Sequence, residues 1–77
     1  MKEVQGMTNY VILVERSDDG FGAWCPDLPG CVALGDSVAE TVSEMGEAIR
    51  FHLEGMRAEG LPVPEPSTVT SALVEAA

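Results

Sequence analysis

The order of signals along the sequence predicts an α+β domain with the element order βββαβ: a three-stranded antiparallel meander, one long helix and a fourth strand. Three observations carry this reading. Three short runs of β-branched, aromatic and small apolar residues are punctuated by two turn clusters, Ser17-Asp18-Asp19-Gly20 and Pro26-Asp27-Leu28-Pro29-Gly30. A helix-capping signature then opens a stretch whose apolar residues recur at helical spacing. A last β-prone run follows three closely spaced prolines, Pro62, Pro64 and Pro66.

Residues 1–8 show no periodicity and read as a flexible tail; residues 9–77 read as one domain. The first strand is expected over residues 9–16, where Tyr10, Val11, Ile12 and Val14 favour extended backbone and suggest both faces are covered at its centre. Asp19-Gly20 between two such runs is a hairpin signal, because glycine takes up turn geometry that a Cβ would obstruct. The second strand is expected over residues 21–25 and the third over residues 31–35. Ser37-Val38-Ala39-Glu40 fits a capping box, in which the Ser37 hydroxyl accepts from the Glu40 amide and the Glu40 carboxylate from the Ser37 amide. The helix should run to about Glu59, with Val38, Val42, Met45, Ile49, Leu53 and Met56 as its apolar stripe. Gly60 stops it and Pro62 forbids continuation. Residues 61–66 are an extended connector, and residues 67–74 fit the fourth strand.

Side-chain alternation sorts each strand into two faces. A helix lies close to a sheet where small residues sit beneath it, which places Ala23, Cys25, Cys31 and Ala33 under the helix. Trp24, Val32 and Leu34 then fall on the uncovered face. Three large apolar residues there would form a patch of the kind that marks an interface. The competing reading is a half-apolar face with Trp24 lying flat on it.

Composition narrows the function. At 77 residues the chain has room for one core. It carries 13 acidic against 4 basic residues, a net charge of −9, so phosphate backbones repel it and a basic partner is attracted. The longest apolar run, Val11-Ile12-Leu13-Val14, falls far short of the roughly 18 residues that a membrane span needs. The N-terminus lacks the basic-then-apolar order of a signal peptide, and a cytoplasmic location is expected. A domain this small gains from a partner, so homo-oligomerisation or a tight complex is expected.

The chemistry-bearing residues point away from catalysis. Two-metal nuclease chemistry requires several converging carboxylates, whereas the strands supply only Glu15, with Asp18, Asp19 and Asp27 in turns. His52 is the only histidine, and it reads as a packed or half-exposed helix residue without zinc-ligand spacing around it. Cys25 and Cys31 read as small buried thiols, having neither redox-motif nor zinc spacing. Glu40, Glu44, Glu47 and Glu54 share one helical flank and read as a solvated face or as an acidic strip facing a basic partner. Gly46 suggests close approach to the sheet or to a second subunit; Gly55 has no evident reason.

The segments Asp18-Asp19-Gly20-Phe21-Gly22-Ala23, Pro26-Asp27-Leu28-Pro29-Gly30-Cys31, Gly35-Asp36-Ser37-Val38-Ala39-Glu40 and Gly60-Leu61-Pro62-Val63-Pro64-Glu65-Pro66 resemble, in order and spacing, the pattern of the HicB-like antitoxins. The resemblance spans residues 10–67. It implies a reduced RNase H-like domain and a non-enzymatic role as the antitoxin of a type II toxin–antitoxin pair. The implied partner is HicA, a small basic mRNA-cleaving ribonuclease with a double-stranded-RNA-binding-like fold and a catalytic histidine, which the antitoxin covers. Many family members continue into a DNA-binding module. This sequence ends at Ala77, so direct nucleic-acid binding by the chain alone is not expected. Solitary HicB-like modules without a toxin also exist, and a homo-oligomerising module of that kind is the alternative. The expected partner-binding or dimer surface has Trp24, Val32 and Leu34 as apolar anchors and Asp18, Asp19 and Asp27 as its charged rim. Catalytic, cofactor-binding and metal-binding residues are expected to be absent.

Overall fold

The computed structural model describes residues 8–76. Of the expected tail over residues 1–8, all but Thr8 lies outside the described residues. Three antiparallel strands, β1 (Leu13–Ser17), β2 (Gly20–Trp24) and β3 (Val32–Gly35), form a sheet in the order β1-β2-β3, and α1 (Val38–Ala58) packs across one face. The meander and the helix are as the sequence predicts. β1 starts later than expected, and its centre is not covered on both sides. Leu13 and Glu15 pair with Trp24 and Gly22, on the face away from α1.

The hairpin closes over Asp18-Asp19, with Ser17 opposite Gly20 as the first pair of the ladder. Gly20 therefore belongs to β2 and not to the turn. A Cβ there would stand 2.5 Å from the Gly35 carbonyl oxygen, so glycine is required by the approach of the neighbouring strand.

The core contains Ala23, Cys25, Leu28, Cys31 and Met45, with Tyr10, Ile12, Val14, Ala33, Ile49 and Leu53 packed against it. The small residues expected beneath the helix are there. Leu28 is not a surface turn residue: it is 1% exposed, and its turn is braced by the Leu28 amide donating to the Cys25 carbonyl and the Cys31 amide to the Leu28 carbonyl, both at 3.1 Å. Two prolines and Gly30, at φ 85°, shape a loop that turns its leucine inward.

The helix is rotated relative to the expected stripe. Thr41 and Met45 are fully buried, whereas Val38 and Val42 are half exposed. The cause is the contact at Gly35, where a Cβ would lie 2.5 Å from Thr41 Oγ1 and 2.8 Å from its amide nitrogen. With no side chain at Gly35, the first turn of α1 settles onto β3 and Thr41 leads the buried face. Its hydroxyl donates to the Ser37 carbonyl at 2.7 Å, so it is buried without an unmet donor.

The capping box forms with one change. The Glu40 amide donates to Ser37 Oγ at 3.0 Å, but the Glu40 carboxylate accepts from the Asp36 amide at 2.8 Å rather than from Ser37. At the other end, Gly60 at φ 72° gives a Schellman ending: its amide donates to the Arg57 carbonyl at 3.1 Å, and the Leu61 amide donates to that of Met56 at 2.9 Å. Gly46 makes no close approach to the sheet, since a Cβ there would meet only the Arg50 guanidinium at 3.6 Å.

The fourth strand over residues 67–74 does not form within this sheet. The segment leaves the body without entering the ladder, and Val69, Leu73 and Val74 are 89%, 104% and 85% exposed. Its β-prone composition is real, but within the single chain it joins neither edge of the sheet.

Two glycine substitutions should therefore act in opposite directions. Gly35→Ala must displace Thr41 and should cost about 1–3 kcal/mol. Gly46→Ala meets only a flexible side chain and should stabilise by about 1 kcal/mol through helix propensity. Urea denaturation followed by circular dichroism reads both signs.

Candidate functional site

The candidate site is the sheet face opposite α1. Across the strands, Leu13 pairs with Trp24 and Trp24 with Val32, so these three side chains form a row. Gly22 pairs with Leu34, whose Cδ2 lies 3.4 Å from where a Gly22 Cβ would stand, so Leu34 extends over the bare glycine. Trp24, Val32 and Leu34 are 39%, 62% and 75% exposed. The structure thus brings the three expected anchors onto one open face.

The face also has a polar fixture that side-chain alternation alone does not reveal. The Trp24 indole N–H donates to Glu15 Oε2 at 2.9 Å. Glu15 and Trp24 sit diagonally across β1 and β2, within reach of long side chains. The bond fixes the indole by its edge and leaves its apolar surface uncovered. Glu15, which the sequence offers only as a lone strand acid, holds the anchor in place, and Leu13 extends the patch.

The expected charged rim divides in two. Asp18 and Asp19 form the exposed hairpin tip. Asp27 lies beyond the far end of β2, roughly 13 Å or more away along the strand. These carboxylates and Glu15 do not converge as two-metal chemistry would require.

Asp27 is engaged elsewhere. The Ser67 and Thr68 amides donate to its Oδ2 at 3.2 and 3.1 Å, and their hydroxyls donate to its Oδ1 at 2.9 and 3.3 Å. These bonds, the Thr68 amide foremost, hold its carboxyl below the ordinary aspartate value. Nearby, the Tyr10 hydroxyl donates to the Pro64 carbonyl at 2.5 Å, and burial of the phenol pushes its pKa up. The first set ties the root of the C-terminal segment to the loop between β2 and β3, and the second ties the connector to the segment before β1. The sequence distance from Asp27 to Ser67 hides this clasp.

Cys25 and Cys31 are free and buried, and burial raises the Cys31 thiol, which opposes thiolate formation. His52 is half buried in the wall of an apolar groove between α1 and the start of β3, which also includes Gly30, Val32, Phe51, Gly55 and Leu61. Among the described residues, no helix is long and apolar enough to cross a membrane.

The clasp has a defined pH dependence. Because the folded-state pKa of Asp27 is depressed, its contribution is present above the ordinary aspartate range and is lost as pH falls through the lower folded value. The Ser67 and Thr68 amide resonances should hold their positions from neutral pH down to about 4 and shift in more acidic solution. In Asp27→Asn they should be displaced already at neutral pH, with the helical signal intact.

Known proteins share this architecture. Among solved structures, a chain of a HicA3 and HicB3 toxin–antitoxin complex superposes with a TM-score of 0.70 at 32% identity, over 78% of this chain and 70% of that one. The crystal structure of antitoxin HicB3 superposes with a TM-score of 0.63 at 33% identity, over 74% of this chain but only 42% of that chain. A UPF0150 protein of Synechocystis sp. is 38% identical over 66 residues, covering 84% of both chains. An uncharacterized 14.9 kDa protein of Haemophilus phage HP1 is 37% identical over 60 residues, 78% of this chain and 45% of that longer one. Residues 10–76 match the family described as HicB_like antitoxin of bacterial toxin-antitoxin system, and the chain belongs to that family.

Proposed function

We propose that the chain is the antitoxin of a toxin–antitoxin pair and binds a small basic HicA-type ribonuclease through the open face of its sheet, covering the toxin's catalytic residue and RNA surface. The observation that carries the reading is the open-face row of half-buried Leu13 with exposed Trp24 and Val32, and exposed Leu34 beside it, in a chain of net charge −9. The apolar row supplies contact area, and the acidity speeds encounter with a basic protein and competes with RNA for the same surface. The likeness to HicB3 within a HicA3 complex supports the choice of partner class. On this reading residues 9–77 act as one non-catalytic domain, related to a reduced RNase H-like fold, that works in the cytoplasm and binds no nucleic acid by itself. Asp18 and Asp19 sit on the charged rim, and Asp27 serves the clasp.

The test is purification of the tagged chain from its native lysate, followed by titration of the recovered partner. One small basic protein whose ribonuclease activity is abolished on remixing supports the proposal. Recovery of the chain alone, as a stable oligomer, favours a solitary interaction module. Trp24→Ala should weaken the complex by about 2 kcal/mol or more, roughly 30-fold in Kd. Glu44→Gln, on the helix flank, should leave affinity nearly unchanged. An unchanged Kd for Trp24→Ala would remove the sheet face as the docking site.

A further inference from the structure

The C-terminal segment pairs with no strand among the described residues. Beyond the Asp27 clasp it runs without regular secondary structure, and Val69, Leu73 and Val74 stand 89%, 104% and 85% exposed. Among the described residues, no backbone hydrogen bond joins residues 69–76 to the sheet. Residues 66–74 carry no charged side chain, in a chain where 22% of residues are charged, and Thr68, Val69 and Thr70 favour extended backbone. Their root is fixed by four hydrogen bonds to Asp27, which set the direction in which the segment leaves.

The chain also carries a matching acceptor. β3 is an edge strand whose outer backbone is unpaired within the sheet. Beside its start lies the apolar groove, about 430 Å3 in volume, with Phe51 79% and Leu61 49% exposed along it. Gly55, for which packing within the chain gives no reason, lines this groove with nothing within 4 Å of where its Cβ would be. The edge of β1 is a poorer match, since the hollow nearest its start is lined by Arg50, Glu54 and Arg57. Eight extended residues span roughly 26 Å, twice the length of the four-residue β3.

We infer that residues 67–74 pair as an added strand with the β3 edge of a second copy of this chain, which returns its own segment in the same way. Donor and acceptor are on one sequence, so a two-fold arrangement closes and satisfies both copies. Charge tolerates this occupant: two chains of net charge −9 repel, but the uncharged segment can cross between them without bringing acid against acid. The exchange reaches the docking face only at its β3 margin, where Val32 lines the groove, and leaves Trp24, one strand further in, without a direct contact; it does not depend on the toxin-binding reading.

Complementation between full-length variants tests the exchange. The unsubstituted chain should sediment as a dimer at micromolar concentration. Leu73→Asp, defective as donor, and Phe51→Asp, defective as acceptor, should each be monomeric with unchanged helical signal. Mixed together they should form a heterodimer, because one intact segment still meets one intact groove. Each single variant should weaken dimerisation by at least about tenfold. A monomeric unsubstituted chain, a Leu73→Asp dimer as strong as the parent, or failure of the mixture to associate would each overturn the inference. Toxin binding by the monomeric variants would show that this failure and a failure of the sheet-face reading are separate events.

Discussion

The contact between Gly35 and Thr41 decides how the helix meets the sheet. Thr41 nitrogen and Oγ1 occupy the space a side chain at Gly35 would need, and Gly20 leaves similar room on the other side for the Gly35 carbonyl. Two missing side chains thus allow the end of β3, the start of β2 and the first turn of α1 to close on each other. That closure rotates α1 so that Thr41 and Met45 lie innermost, over Ala23, Cys25 and Cys31. With so few large residues in the core, close approach replaces bulk: the dispersion contacts come from short side chains at close range. The price of this economy is a sheet covered on one side only.

The second organising feature is the loop between β2 and β3. Its leucine turns into the core and its aspartate turns outward to Ser67 and Thr68, so one short segment joins the core to the connector. The prolines of the loop and connector reduce the conformational freedom lost when the two are strapped together. The strap gives the C-terminal segment a fixed point of departure beside a sheet whose edges it does not join.

Much of this was legible in the sequence because it rests on local rules. The turn clusters, the capping serine, the glycine after the helix and the parity of Trp24, Val32 and Leu34 all follow from neighbours in the chain. What was not legible depends on residues far apart. Leu28 reads as a turn residue until the loop is seen to fold over the core. Asp27 reads as rim charge until Ser67 and Thr68 arrive forty residues later. The helix stripe follows Val38 and Val42 by hydropathy, but the geometry at Gly35 selects Thr41, whose hydroxyl is satisfied within its own turn. The last strand does not enter the sheet of the single chain for a similar reason: propensity describes what a segment favours, not what it pairs with.

The indole of Trp24 has one further consequence. It is the only tryptophan in the chain, it sits on the open sheet face, and its nitrogen is tied to Glu15. The protein therefore carries its only tryptophan fluorophore at the surface proposed for docking. Withdrawal of that ring from water moves its emission to shorter wavelength, and the groove beside Phe51 reaches its surroundings only through Val32, which borders both. Occupancy of the open face can thus be followed by light, without a label.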